Sequence, residues 1–502
     1  SVAVFPLTMS SWHAWATDTG QTQDMSDLSV REATKRATAR MSHSDVEIPR
    51  DRDSSVPRPP GPSTTALINA FRRGPAVLEL FTNVAREHPQ IAHTRLLGEH
   101  LYLLNSPDVI VDVMQKHGRN TMKGRGLQGA KALLGNGLLT SEGDAHMRQR
   151  RLVQPAFHHD RIRLYADQMA DLSVAHEATW VNGAEVDMVT DMSALTLAIV
   201  GRTLFGSDLT GDASDVGDAL TTVLEGMGSR LMLGPAAMRI PSPSRRRAVL
   251  AAAQLDTMVQ RIIDNHRGGG NADDMLAILI SATEDGTGMT DEQLRDESMT
   301  LVLAGHETTA MTLSWGWMLL AQNPLAREWM TEELDAVLNG RTPVMADLDA
   351  MPRTRAVVAE ILRMYPAAWV IGRRLLDDVE IGDVRIPRGA ICRASQWVMQ
   401  RDQRWWDQPL SFRPDRWLTP AGTFDESAPG QPRGAFFPFG FGNRRCIGES
   451  FAWTEAMLIL GTLAQRWSPE LVMDGAIEPM PAVTLRPSPG MAMRLVARAK
   501  PQ

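Results

Sequence analysis

The turn Phe439-Gly-Phe-Gly-Asn-Arg-Arg-Cys-Ile-Gly448 gathers what a metal-bound thiolate needs. Such a sulfur must be held at its metal while its negative charge is kept from protons. Gly440, Gly442 and Gly448 leave backbone N–H groups free to approach Cys446, and a helix starting just after it adds a positive dipole end. Taken alone, a cysteine in a glycine-rich turn reads more simply as buried and inert. Gly440-x-Gly442 also begins a dinucleotide-loop pattern, but Arg445 stands where the third glycine is required.

Three further groupings carry chemistry. Ala304-Gly305-His-Glu307-Thr308-Thr309 places an acid beside an alcohol after two small residues. His306-Glu307 opens the zinc-protease pattern H-E-x-x-H, which fails because position 310 is Ala. The plain alternative is a polar patch in a buried helix, with threonine bonding back to a carbonyl one turn earlier. Glu360-Ile-Leu-Arg363 puts opposite charges three apart on one helical face, where they pair. His146-Met-Arg-Gln-Arg150 sets two basic groups four apart, the usual pattern of a solvated basic face.

These groups need elements to hold them. A helix is expected from Asp291 to about Asn323, capped by Thr290 with Gln293 at the third position and stopped by Pro324. At 1.5 Å per residue it forms a rod roughly 50 Å long, apolar on most faces and therefore buried. Arg353 to Tyr365 reads as a second helix ended by Pro366, and a last helix begins near Glu449. Leu101–Leu104 and Glu380–Ile386 read as strands, Met491–Ala497 as strand-like, and Gln403–Pro420 as irregular. The fold class is mainly α with small β-sheets.

Residues 1–55 are rich in Ser, Thr, Asp and Arg without apolar periodicity, and are expected to be a mobile extension. The stiff run Val56-Pro-Arg-Pro-Pro-Gly-Pro62 then leads into one domain, 56–502. A net charge of −7 and pI near 6.0 argue against a nucleic-acid binder. The two cysteines, Cys392 and Cys446, form no C-x-x-C pair, which excludes a cysteine-rich zinc or iron–sulfur site. They fit a reducing compartment, and no run approaches 18 apolar residues, so a cytoplasmic protein is expected.

Phe439, Gly442, Arg444, Cys446 and Gly448 match every fixed position of F-x-x-G-x-R-x-C-x-G, and the sequence resembles the cytochrome P450 family. The resemblance implies the P450 fold, with haem b between the long helix and the cysteine loop, and Cys446 as axial ligand and metal-binding residue. Phe439, Gly440 and Gly448 would shape the ligand's turn. Glu360 and Arg363 resemble the E-x-x-R motif, with Arg416 of Phe412-Arg-Pro-Asp-Arg416-Trp417 as third member of a structural cluster. Ala304 and Gly305 would leave room for dioxygen, Thr308 would hydrogen-bond it, and Glu307 would relay protons. His146, Arg150 and Arg444 would meet haem propionates, as would Arg373, with Arg374 its competitor. Gln400 departs from the family, where many relatives have His, and the long N-terminal stretch is unusual for soluble bacterial members.

The implied activity is a monooxygenase using O2 and NAD(P)H-derived electrons from a separate ferredoxin and ferredoxin reductase. Arg148, Arg151 and Arg445 could form a basic patch for the ferredoxin, or merely a solvated face. The resemblance places Ala304, Trp369, Val370, Ile371, Val483 and Thr484 near the distal pocket, and Met227, Met232 and Met238 near a lid. A mainly apolar pocket suits a lipophilic terpenoid, polyketide-type or fatty-acid substrate, and a monomer is expected. A peroxygenase, a haem-thiolate isomerase or a haem-binding sensor are the competing readings, and the Glu307-Thr308 pair argues against each.

Overall fold

The computed structural model describes Pro49, Asp51 and residues 56–498, apart from 97, 125–126, 128–129, 132–133, 207–218, 220–221, 224–242, 268–273, 285 and 473–474. The expected lid methionines Met227, Met232 and Met238, and most of the expected N-terminal extension, lie outside the described residues.

The elements that matter for the site are, in chain order, strands β1 (Ile91–Leu96), β2 (Glu99–Leu104) and β3 (Thr121–Lys123), then helices α1 (Gly143–Val153), α2 (His159–Glu177) and α3 (Met188–Phe205). After these come α4 (Asp291–Gln322), α5 (Pro352–Met364), β4 (Ile371–Leu375), β5 (Ile391–Ala394), α6 (Glu449–Leu463), β6 (Glu478–Pro481) and β7 (Leu485–Ser488).

Helix α4 starts as its sequence predicts. Thr290 Oγ1 accepts from the Gln293 amide at 3.2 Å, and the Gln293 side chain accepts from the Thr290 amide at 2.9 Å. It crosses the helical region with α3, α5 and α6 packed on it. Trp315, Trp317, Met318, Leu458 and Leu460 belong to this core. Helix α3 is long and apolar enough to cross a membrane by length and composition, yet most of it is buried here, against α4.

Five strands form one sheet in the order β1-β2-β5-β4-β3. β5 lies parallel to β2 and antiparallel to β4, and β3 closes the edge antiparallel to β4. Leu67, Phe81, Tyr102 and Trp369 belong to a second apolar cluster around this sheet. The segment Glu380–Ile386, expected as one strand, is instead a hairpin of Val379–Ile381 and Val384–Ile386. Gly382, at φ +56°, reverses the chain between them, a backbone shape that favours glycine. Just before the polyproline run, Asp51 pairs with Arg58 at 2.7 Å and the Pro49 carbonyl accepts from Arg374 at 3.1 Å.

Candidate functional site

Helix α4 is buried at every residue from Leu294 to Leu320 except Ala304, Gly305 and Thr308. Spacings of one and four put these three on one face of the helix, so the face is open at that level and sealed above and below. Thr308 Oγ1 donates to the Ala304 carbonyl at 2.6 Å. Gly305 has a second duty, since a Cβ there would come within 3.2 Å of Val200 on α3. Its missing side chain therefore lets the two helices approach.

Glu307 lies off that face. It is buried, and its oxygens accept from Arg486 Nε at 2.7 Å and Nη2 at 2.9 Å, and from Thr484 Oγ1 at 2.7 Å. Thr484 and Arg486 are two apart, so the strand period aims both at the one carboxylate. The relay expected of Glu307 toward Thr308 therefore requires it to exchange these partners. Thr484, expected at the pocket, is buried in this pairing instead.

The cysteine loop is folded by its glycines. Gly442 sits at φ +64°, and a Cβ there would press to 2.9 Å from the Met114 carbonyl oxygen. Gly440, at φ +74°, donates its amide to the Phe437 carbonyl at 2.9 Å. The Cys446 amide donates to Phe439 at 2.9 Å, and Gly448 opens α6. A Cβ on Gly448 would stand 4.0 Å from Cys446 Sγ and 3.4 Å from the Phe157 ring. Cys446 is surface-accessible, whereas Cys392 is wholly buried. The Gly448 amide and the Arg150 and Arg445 charges favour a thiolate at Cys446.

Beside the loop lies a cluster of basic side chains. Arg444 pairs with Glu142 and donates to the Ser141 carbonyl at 2.9 Å. Lys123, at the end of β3, donates to the Leu138 carbonyl at 2.7 Å, and its amide to Glu142 at 2.7 Å. Arg373 is buried opposite Lys123 in the sheet register, donates to the Gly372 carbonyl at 2.9 Å, and meets no carboxylate among the described residues. Burial, with the Arg444 charge next in size, pushes Arg373 down to about 10. His146 Nδ1 faces the Leu138 carbonyl at 3.2 Å, while its Nε2 and the Arg444 Nε are buried with no partner among the described residues. Burial followed by the Arg444 and Lys123 charges pushes His146 down to about 3. Arg150 donates to the Arg445 carbonyl at 2.8 Å. The strand alternation separates the two competing arginines: Arg374 is occupied by Glu99 at 2.7 Å and by the Pro49 and Gly389 carbonyls. Lys123 was not singled out in the sequence, because a lone lysine in a three-residue strand carries no local signal.

A second charged cluster lies beneath the loop. Arg363 Nε and Nη2 donate to the two oxygens of Glu360, both at 2.8 Å, with neither side chain exposed. Trp417 donates its indole N–H to Glu360 at 2.9 Å, Arg413 its amide at 2.9 Å, and Arg416 Nε stands 3.3 Å away. The remaining Arg363 donors meet the carbonyls of Gln400, Pro409 and Ser411. Gln400, the departure from the family pattern, donates to the carbonyls of Leu362 and Arg363 and accepts from the Phe437 amide at 3.1 Å. Its amide group thereby ties the end of α5 to the start of the cysteine loop.

Among the other expected pocket residues, Val370, Ile371 and Val483 are partly exposed. Trp369 is 1% exposed, donates to the Ala482 carbonyl at 3.1 Å and packs on Phe81. Its ring lies in the core while its neighbours Ala368 and Val370 are partly open, so Trp369 is not a pocket wall. The expected basic patch is compensated: Glu284 pairs with Arg151 at 2.5 Å and stands 3.9 Å from Arg148, and Glu449 pairs with Arg445.

The sequence model of the cytochrome P450 family matches residues 57–493. Cyclooctatin synthase of Streptomyces melanosporofaciens is 37% identical, over 81% of this chain and 87% of its own length. Pentalenene oxygenase of Streptomyces avermitilis is 32% identical, over 84% of this chain and 93% of its own. The crystal structure of the cytochrome P450DA heme domain superposes with a TM-score of 0.77 at 24% identity, over 88% of this chain and 98% of that one. The chain belongs to the cytochrome P450 family, and it is an oxidoreductase of the monooxygenase kind.

Haem is the cofactor of that family, and the residues here fit it. An accessible sulfur sits in a turn whose glycines hold it. The orphaned His146 Nε2 and Arg444 Nε, with Arg373 lacking an acid partner, suit the haem carboxylates.

Proposed function

We propose that this P450 inserts one oxygen atom of O2 into a lipophilic terpenoid, by hydroxylation or epoxidation, with electrons from a separate ferredoxin and its reductase. The observation that carries the chemistry is the opening at Ala304, Gly305 and Thr308 in an otherwise sealed helix. Support for the substrate class comes from relatives named for cyclooctatin and pentalenene, whose products are terpenoids.

When bound, the haem supplies dioxygen activation, which a thiolate ligand favours by pushing electron density toward the O–O bond. The chain supplies the rest. Cys446 would bind the haem iron, and His146, Arg373 and Arg444 would hold the carboxylates. Thr308 keeps a hydroxyl proton at the open face, parked on the Ala304 carbonyl and released by rotation of its side chain. Leu301, Val302 and Leu303 seal the helix before the opening and exclude water there. Val370, Ile371 and Val483 would present apolar surface to the substrate.

The test is turnover of pentalenene with ferredoxin, reductase and NAD(P)H under isotopically heavy dioxygen. One heavy oxygen per product molecule is expected. In Thr308→Ala, product per NAD(P)H should fall at least about tenfold, with peroxide released instead. Equal turnover on peroxide alone would point to the peroxygenase reading.

A further inference from the structure

The core of this protein holds several carboxylates, and most of them are answered. Glu360 and Glu307 meet guanidinium groups at 2.8 and 2.7 Å, and Glu177 meets Arg466 and the Trp467 indole. Glu333 and Glu297 accept from backbone amides. Glu455, in the middle of α6, is the exception. It is not exposed at all, and neither of its oxygens has a well-formed hydrogen bond among the described residues. The residues that follow it, Ala456, Met457 and Leu458, are buried and apolar. Another apolar side chain would fill this place at lower cost, because a buried carboxyl without partners gives up its hydration uncompensated.

Helix α6 packs on α4, and there the acid meets an alcohol. Burial pushes the Glu455 acid up to about 8, so it holds its proton at neutral pH, and the Thr309 hydroxyl is the one group that acts against this. No charged side chain of α2, α4, α5 or any other described element packed on α6 contributes. Thr309 is buried, directly follows Thr308 and lies one helical turn after Gly305. It therefore flanks the opening at Ala304, Gly305 and Thr308 on the Gly305 side. A hydroxyl accepts and donates at once, so Thr309 can take a proton from Glu455 and give up its own toward the opening. Glu307, the other acid near this level of α4, is held by Arg486 and Thr484.

We infer that Glu455 is a proton store for the open face of α4, a positioning residue that acts through Thr309. The inference rests on the monooxygenase activity and not on the terpenoid reading. Reducing dioxygen with release of water consumes protons, and a lipophilic substrate expels the water that would bring them. On discharge the O–H bond of Glu455 breaks, its proton joins Thr309 Oγ1, and the hydroxyl proton of Thr309 leaves for the open face. The reverse transfer, from water that returns once product has left, restores the acid. No electrons move in either direction.

The test uses the haem-loaded full chain with Glu455→Gln, which keeps a hydrogen-bonding group but cannot supply the proton, and with Thr309→Val. Infrared absorption of the wild type should show a protonated carboxyl band that fades as pH rises through about 8 and is missing in Glu455→Gln. With pentalenene, ferredoxin, reductase and NAD(P)H at neutral pH, Glu455→Gln should lower product per NAD(P)H about tenfold. Thr309→Val should do the same, and the double variant should be no worse than either alone, as members of one route require. The solvent isotope effect on NAD(P)H oxidation should rise in both single variants. Wild-type coupling should fall above about pH 8, while that of Glu455→Gln stays flat. Glu455→Gln should melt no lower than the wild type, which separates lost proton supply from lost folding. Absence of the band below about pH 8, or wild-type coupling and pH profile in Glu455→Gln, overturns the inference. A wild type that leaves pentalenene unoxidised sinks the terpenoid reading instead, and the infrared band with the solvent isotope effect then decides on Glu455.

Discussion

Two clusters of buried charge lie on either side of the cysteine loop, and they are built on opposite plans. In the Glu360–Arg363–Arg416 cluster the oxygens and donors meet partners within the chain: carboxylate, guanidinium, indole N–H and backbone carbonyls. In the cluster of Arg444, Arg373 and His146, among the described residues only Glu142 answers the positive charge closely, and Nε2 of His146 and Nε of Arg444 have no partner there. The closed cluster is a structural joint, because nothing remains for a ligand to satisfy. The open one is a receptor, whose unfilled donors specify a ligand with carboxylates.

That contrast can be broken by substitution. Glu360→Gln should have the largest effect, destabilising the protein by about 3–5 kcal/mol, because Arg363 would keep a fully buried charge without its anion. Urea unfolding measures this, and the loss should be similar with and without haem. Arg373→Met should behave oppositely. Removing a buried cation that lacks an acid partner should stabilise the haem-free protein by about 1–2 kcal/mol while weakening haem retention. Haem transfer to apomyoglobin measures the retention. A loss of haem-free stability as large as that of Glu360→Gln would erase the distinction between the clusters.

The most gradual effect is in pH. Burial, then the Arg444 and Lys123 charges, push His146 from its ordinary 6.5 down to about 3 in the folded chain. Between those values the unfolded chain takes up the proton that the folded chain refuses, so stability falls as pH drops through this window and is complete above 6.5. The slope should be roughly 0.5–1 kcal/mol per pH unit after allowing for screening, and His146→Gln should flatten it. Haem carboxylates beside His146 would favour its charged form, so the holoprotein should show a shallower slope than the haem-free protein.

Much of this was legible in the sequence where the chemistry is contiguous. The cysteine turn, the Thr290–Gln293 cap and the Glu360–Arg363 spacing each declare themselves within a few residues. What escaped depends on which side of a strand faces which neighbour. Trp369 looked like a pocket wall, but its ring packs on Phe81 in the core. Glu307 looked like a partner for Thr308, yet it pairs across nearly 180 residues with Thr484 and Arg486. The spacing of two between those residues was the available hint. Gln400 was visible only as a departure from family habit, and its three hydrogen bonds emerge only once α5 and the cysteine loop are adjacent.

The most direct measurement of the central claim is the absorption spectrum of the reduced, carbon monoxide-bound protein, compared between Cys446→Ser and Cys392→Ser. The wild type and Cys392→Ser should show the red-shifted Soret band of a thiolate ligand, and Cys446→Ser should lose it. A red-shifted band that persists in Cys446→Ser, or disappears in Cys392→Ser, would contradict the assignment of the accessible sulfur as the haem ligand.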